Sequence, residues 1–261
     1  MIDMDAPLSY EIINLSWSSP FPCRVESYMM RQQPLGEQDL HLIQGDEVKT
    51  FATEKRRMDH FNGRRLLEIA LFKWGLSTLD DIEVLRTEKR EPYLRFIQGV
   101  WKNQPLPSFS IAHSDQYVFV ALCETGWSIG IDAEPLDREL SPGVYELMSS
   151  GDELTFVQAH PEHALMFWTV KEAVQKSMGQ GMHLNPRKIK VPIEKKNCNI
   201  SIENLKIQLE NKEKKGFQIS LALTERNSQP QTAEDRLLKV TKDAMNTSEW
   251  SVGCNTTRNN R

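Results

Sequence analysis

The stretch Trp-Ser-Ile-Gly-Ile-Asp-Ala-Glu-Pro, residues 127–135, constrains the fold more than any other. Ile129, Ile131 and Ala133 alternate with Gly130, Asp132 and Glu134. A period of two marks a strand. Residues i and i+2 of a strand share a face, about 6.5–7 Å apart. Asp132 and Glu134 therefore point the same way, with Gly130 leaving space beside them. Carboxylates that close repel unless a positive charge sits between them. Two readings stand open: a solvated outer face, or a site for a divalent metal ion.

The chain has 261 residues, enough for one large domain or two modest ones with a real core. Its 32 basic and 36 acidic residues give a net charge of -4. By bulk charge this is no nucleic-acid binder. The first residues, MIDMDAPLSYEIINLSW, carry acids where a signal peptide needs a basic region and an apolar run. No apolar run is long enough to span a membrane. Cys23, Cys123, Cys198 and Cys254 are far apart and form no metal-ligand spacing. The simplest reading is a reduced, cytoplasmic protein.

Along the chain, residues 1–20 read as a loose leader. Residues 21–125 form a first α+β half, 126–226 a second, and 227–261 a polar, poorly ordered tail with a short helix near Asp235 to Ala244. In the first half a strand is predicted over Phe21 to Tyr28 and a long helical region over Asp46 to Trp74. Thr53 caps that region, Asn62-Gly63 interrupts it and Gly75 stops it. Thr78 to Arg86 and Pro92 to Phe96 are weaker strand candidates. Phe109 to His113 and Tyr117 to Leu122 read as a hairpin. In the second half the strand 128–134 is followed by a loop and by helices over 151–159 and His163 to Met178. Strands are predicted over Ile189 to Ile193, Ile200 to Leu209 and Phe217 to Leu223.

The helix FWTVKEAVQKSMGQG, residues 167–181, carries an apolar stripe of Phe167, Val170, Val174 and Met178. At 100° per residue, Glu172 lies about 140° from Phe167 and Lys176 about 180°. They form an i,i+4 pair away from the stripe. Lys171 falls at the stripe's edge, its stem packing and its amine reaching out. Alone, Glu172 and Lys176 read as a surface salt bridge. After two strand carboxylates, Glu172 supplies a third hard oxygen ligand, a set suited to Mg²⁺. Lys176 one turn on suits a developing phosphate charge. Two further features fit a phosphate-rich ligand. One is the basic run Lys55-Arg56-Arg57 with Arg64-Arg65, otherwise a solvated helix face. The other is His113 at a strand end, otherwise a structural histidine. No P-loop and no GxGxxG motif is present.

These segments resemble the surfactin-type and enterobactin-type phosphopantetheinyl transferases, in the family's order, from about Phe21 to Leu223. EKRRMDHFNGRR looks like the basic N-terminal segment, REPYL like the Gly-Lys/Arg-Pro segment, and FSIAHSDQYVFVAL like the strand ending in Ser-His-Ser. IGIDAEP is similar to the Gly-Ile/Val-Asp-x-Glu motif. FWTVKEAVQKSMGQG is similar to the Trp-Ser/Thr-x-Lys-Glu-Ala-x-x-Lys motif with its trailing glycines. The last two motifs are the specific ones. Glu91 stands where many members have Lys or Arg, with Arg90 beside it, and Ala112 replaces a Ser before the His.

The resemblance implies a pseudo-twofold α+β monomer, two similar halves with the active site at their interface and coenzyme A between them. It implies Mg²⁺ held by Asp132, Glu134 and Glu172. Lys55, Arg56, Arg64, Arg90 and His113 would contact coenzyme A phosphates. The implied reaction moves 4'-phosphopantetheine from coenzyme A to a serine of an apo acyl or peptidyl carrier protein and releases 3',5'-ADP. Glu172 would take the serine proton, directly or through water, and Lys176 would stabilise the leaving phosphate. Nucleic acid and membrane are not expected partners. Leu140 to Met148 and the neighbourhood of Lys188 and Lys190 are candidate carrier-protein surfaces. The rival readings are a non-catalytic coenzyme A or carrier-protein binding module, and a metal-dependent phosphohydrolase.

Overall fold

The computed structural model describes residues 11–97, 105–192 and 197–226. In chain order the strands are β1 (Ile13–Asn14), β2 (Val25–Arg31), β3 (Ile82–Arg86), β4 (Pro92–Phe96), β5 (Ser108–Ser114), β6 (Tyr117–Cys123), β7 (Trp127–Pro135), β8 (Cys198–Ile202), β9 (Leu205–Lys214) and β10 (Phe217–Glu225). The helices are α1 (Gly45–Val48), α2 (Glu54–Trp74), α3 (Pro142–Met148), α4 (Asp152–Ala159) and α5 (Ala164–Ser177). Four short 3₁₀ turns complete the described elements. The architecture is α+β. One antiparallel sheet has the order β1-β2-β6-β5, a second β7-β10-β9-β8, and β3-β4 is a separate ribbon.

Each large sheet carries a helix on one face, and the opposite faces meet. Leu66, Leu67, Ala70 and Leu71 of α2 pack on Met30, Val118, Val120 and Leu122 of the first sheet. Phe167, Val170, Ala173 and Val174 of α5 pack with Ile207, Leu209 and Ala222 of the second. Between the sheets, Met29, Phe119 and Ala121 meet Ile129, Ile131, Ile219 and Leu221. Burying each Leu, Ile or Phe contributes about 1.5–3 kcal/mol, so these faces fix which way every strand points. β5 and β7 are joined across the sheets: Ile131 N–H donates to Ser110 Oγ at 3.1 Å, and Ser108 Oγ donates to the Trp127 carbonyl at 2.8 Å.

Several elements depart from the sequence expectation. The helical region from Asp46 divides into α1 and α2, and Thr53 caps α2 by accepting from Arg56 N. Asn62-Gly63 does not interrupt α2. Both residues are buried within it, and Asn62 Nδ2 donates to the carbonyls of Gln33 and Met58, each at 2.9 Å. A helix-interior Asn with two carbonyl acceptors at hand is satisfied in place and has no reason to break the helix. The helix stops at Gly75, whose φ of 111° is open only to glycine at little strain. The stretch from Ile200 to Leu209 is a hairpin rather than one strand, turned by Glu203 and Asn204 at φ of 51° and 67°. Residues 189–192 form no strand. The loop expected after β7 contains α3.

The leader expected over 1–20 falls outside the described residues as far as Tyr10; from Glu11 onward it is structured. β1 pairs with β2 through Ile13 and Met29, and Leu15 is buried. Trp17 Nε1 donates to Ser27 Oγ at 2.8 Å. The chain then crosses to the other sheet: Ser18 Oγ donates to Glu210 Oε2 at 3.2 Å, and Gln208 Nε2 donates to the Pro20 carbonyl at 3.3 Å. Leu15 and Trp17 supply the apolar anchors that a loose leader lacks. The polar tail and its expected helix lie outside the described residues. No helix among the described residues is long and apolar enough to cross a membrane.

Candidate active site

The acidic face of β7 does not look out to solvent. Ile129, Ile131 and Ala133 enter the core between the sheets, which turns Gly130 and Asp132 toward α5. Gly130 has no side chain to hold the helix off, so the α5 backbone settles directly on the strand. That approach brings Lys176 over Asp132. Its Nζ donates to Asp132 Oδ1 at 2.8 Å and to the Ile131 carbonyl at 3.0 Å. Lys176 thus pairs with the strand and not with Glu172. The other Asp132 oxygen, Oδ2, is buried without a hydrogen-bond partner among the described residues. Burial pushes the Asp132 carboxyl up to about 6; Lys176 opposes that rise, while Glu172 and Glu134 add to it.

Glu134, at the end of β7, is only partly covered. Its Oε2 accepts from Ser114 Oγ at 3.2 Å, and its Oε1 pairs with Arg138. Glu172 is half-buried and has no hydrogen-bond or ion-pair partner among the described residues. Its charge is nevertheless felt at Asp132. Among the described residues no three His, Cys, Asp or Glu side chains converge as a ready-made metal cage.

His113, near the end of β5, lies against α2. A Cβ on Gly63 would fall 2.8 Å from its Nε2, so that glycine is what lets the helix pass over the ring. The residue keeps exposed surface. Desolvation of the ring lowers its pKa, Asp59 opposes, and Lys176 and Lys55 add to the lowering. His113 and Ser114 line an open cavity of about 480 Å³ together with Asp115, Glu134, Pro135, Asp137 and Arg138. Ser114 and Arg138 were not singled out from sequence. Ser114 follows the histidine in the quoted motif and was readable there. Arg138 reaches the site through a turn that no periodicity reports.

The basic residues of the first half divide. Lys55 and Arg56 are exposed on the first turn of α2; Lys55 pairs with Asp59 at 3.2 Å, and the Arg56 guanidinium lies over the Phe51 ring. Arg64 is buried, 3% exposed, and pairs with Glu47 at 3.3 Å. Glu47 also holds Arg86 at 2.6 Å and faces His60 at 3.8 Å. Arg64 is therefore no solvated helix charge, and in this arrangement its guanidinium serves Glu47. Burial, aided by Arg64, holds His60 down to about 4. Arg90 is exposed in the β3–β4 turn at φ 67°. Its neighbour Glu91 reaches Gly179, just past the end of α5.

Lys171 departs most from expectation. Its amine does not reach out: the residue is 1% exposed, and Nζ donates to Glu153 Oε2 at 2.8 Å, to the Pro186 carbonyl at 3.0 Å and to the Ile189 carbonyl at 2.6 Å. Glu153 also accepts from Val191 N at 3.1 Å. A buried ammonium is tolerated when all three protons find acceptors, one of them charged. The clasp fixes α5 to α4 and to residues 186–191, and so steadies the turn that carries Glu172.

No curated protein matches the chain. The sequence model of the 4'-phosphopantetheinyl transferase superfamily matches residues 128–235, a span that opens on β7 and contains Asp132, Glu134, Lys171, Glu172 and Lys176. The stretch that is similar to the 4'-phosphopantetheinyl transferase superfamily is thus the one in which the strand carboxylates face the helix that bears Glu172 and Lys176.

Proposed function

We propose that the protein is a surfactin-type transferase that moves 4'-phosphopantetheine from coenzyme A to a serine hydroxyl of an apo acyl or peptidyl carrier protein. It releases 3',5'-ADP and works with Mg²⁺ as a cytoplasmic monomer. The observation that carries this reading is the meeting of β7 and α5: Asp132, Glu134 and Glu172 lie on the two motif segments, with Lys176 seated on Asp132. Two helix-bearing sheets packed through one core support two related halves, 21–125 and 126–226, with the ligand between them.

The oxygens present suit a hard divalent cation. Among the described residues, Asp132 Oδ2 is buried without a partner and Glu172 has none. Asp132, Glu134 and Glu172 would hold the ion, and Mg²⁺ bound there would supply charge neutralisation for the pyrophosphate. Glu172 receives the serine proton, directly or through a water, because a serine hydroxyl is a weak nucleophile at neutral pH. Lys176 donates to the departing phosphate, and its link to the Ile131 carbonyl keeps the ammonium in place. His113 donates to a phosphate in the cavity, with Lys55, Arg56 and Arg90 supplying exposed positive charge. Arg64 joins them only by leaving Glu47.

The test is incubation with coenzyme A, Mg²⁺ and a panel of apo carrier proteins, read by intact mass. Gain of one phosphopantetheine on a carrier is the expected result. Binding of coenzyme A with no gain on any carrier would mark a binding module. Breakdown of coenzyme A without a carrier would mark a phosphohydrolase.

A further inference from the structure

Arg138 is placed by a tight turn. Its N–H donates to the Pro135 carbonyl at 3.0 Å, folding the chain back as it leaves β7. The guanidinium thereby lands on Glu134 Oε1 and on the wall of the cavity that His113 and Ser114 also line. It has no other hydrogen-bond partner among the described residues. Lys176, by contrast, is tied to a backbone carbonyl as well as to its carboxylate. The site thus sets three carboxylates, Asp132, Glu134 and Glu172, against one tethered cation and one loosely held one.

We propose that Arg138 switches partners: it neutralises Glu134 in the metal-free protein and turns to a substrate phosphate in the cavity when Glu134 takes a divalent cation. The proposal rests on the function proposed above. Two cations on one carboxylate repel each other. The Arg138 side chain is 43% exposed and that of Glu134 16%; a pair whose cation is open to solvent shifts an equilibrium only about two- to fivefold, so it breaks readily. A divalent ion takes over from the guanidinium as the counter-charge of Glu134, and a pyrophosphate then gives the freed guanidinium an anion to meet.

The experiment is isothermal titration of the full chain with Mg²⁺ alone, and with coenzyme A at saturating Mg²⁺, for wild type, Arg138→Gln and Arg138→Lys. Arg138→Gln should bind Mg²⁺ about two- to fivefold more tightly, since a competing cation is gone. It should bind coenzyme A about tenfold more weakly, since a charge-assisted phosphate contact is gone. Arg138→Lys should fall between on both axes. A residue that only shapes the turn would not move the two affinities in opposite directions. If wild type binds both ligands and either shift is missing in Arg138→Gln, the switch is wrong and the function stands. If wild type binds neither ligand, the functional reading fails and the switch with it.

Discussion

A Cβ on Gly130 would stand 1.9 Å from the Ala173 carbonyl oxygen and 2.7 Å from the Ser177 amide nitrogen. Both obstacles are helix backbone, which has no rotamer to give way. Gly130→Ala must therefore lift α5 from β7. Overpacking of this kind destabilises by about 1–3 kcal/mol, and more where backbone must move. A denaturant midpoint equal to wild type would show that the helix does not sit as close as the structure has it. Because Glu172 and Lys176 ride on α5, the variant should also lose transfer activity.

Asp132 lends the metal-free fold a pH dependence of definite sign. Its folded pKa, about 6, stands above the ordinary 3.8. A carboxyl raised in this way destabilises the fold once ionised. The penalty is absent below about pH 4, grows as pH rises, and is complete above the folded value. It amounts to on the order of 2–3 kcal/mol at pH 7.5. Asp132→Asn keeps an acceptor for Lys176 and removes the charge. With divalent ions chelated, it should melt higher than wild type at pH 7.5 and converge with it below about pH 4. A constant difference across that range would deny the shift. The same variant should be inactive in transfer.

Glu172 and Lys176 should separate kinetically. Glu172→Gln keeps an oxygen but cannot take a proton, so single-turnover transfer should fall by orders of magnitude. Lys176→Ala should lower the same rate while leaving ground-state coenzyme A affinity less affected. It should also change the Asp132 environment, since the two are ion-paired at 2.8 Å. Unchanged rates in both variants would remove α5 from the chemistry.

The clasp at Lys171 makes a stability prediction. Lys171→Ala leaves the buried Glu153 carboxylate without its cation, a loss typically worth about 3–5 kcal/mol. Amide exchange should speed up in residues 186–191, which the clasp holds. The double variant Lys171→Met, Glu153→Gln should recover much of the loss, because the stranded charge is gone. Failure of the double variant to recover would mean that the hydrogen bonds, more than the charges, hold the segment.

Arg64→Ala should unfold more easily than wild type by about 1–3 kcal/mol, because Glu47 keeps Arg86 but loses a buried partner. Urea titration checks it. A midpoint within error of wild type would make Arg64 the solvated helix charge that its sequence neighbourhood suggests.

What the sequence made legible was local. The alternation across Ile129 to Glu134 read as a strand with one acidic face, and the 3.6-residue stripe of Phe167, Val170 and Val174 read as the buried face of α5. Thr53 and Gly75 marked the ends of α2 by cap chemistry alone. The misread residues all have partners far along the chain. Lys171 lay at the edge of a helical wheel, and nothing on that wheel announces Glu153 and the carbonyls of Pro186 and Ile189. Arg64 looked like one member of a basic run until α1 brought Glu47 beside it. Lys176 was four residues from Glu172 and took a strand carboxylate 44 positions away instead. Asn62-Gly63 looked like a break because Asn and Gly usually are; here one is hydrogen-bonded in the helix and the other makes room for His113.

The strap at residues 15–20 sets an order of assembly. Ser18 meets its acceptor on β9 across 192 positions of sequence. A chain emerging from the ribosome therefore holds Leu15 and Trp17 ready long before β9 and β10 exist to receive the crossing. Contacts so distant along the chain form late and slow folding. Until they close, the inner faces of β2 and β6, with Met29 and Phe119, have no opposing sheet. The nascent protein thus carries its central apolar seam open until β10 is made, and that interval is when aggregation competes with folding.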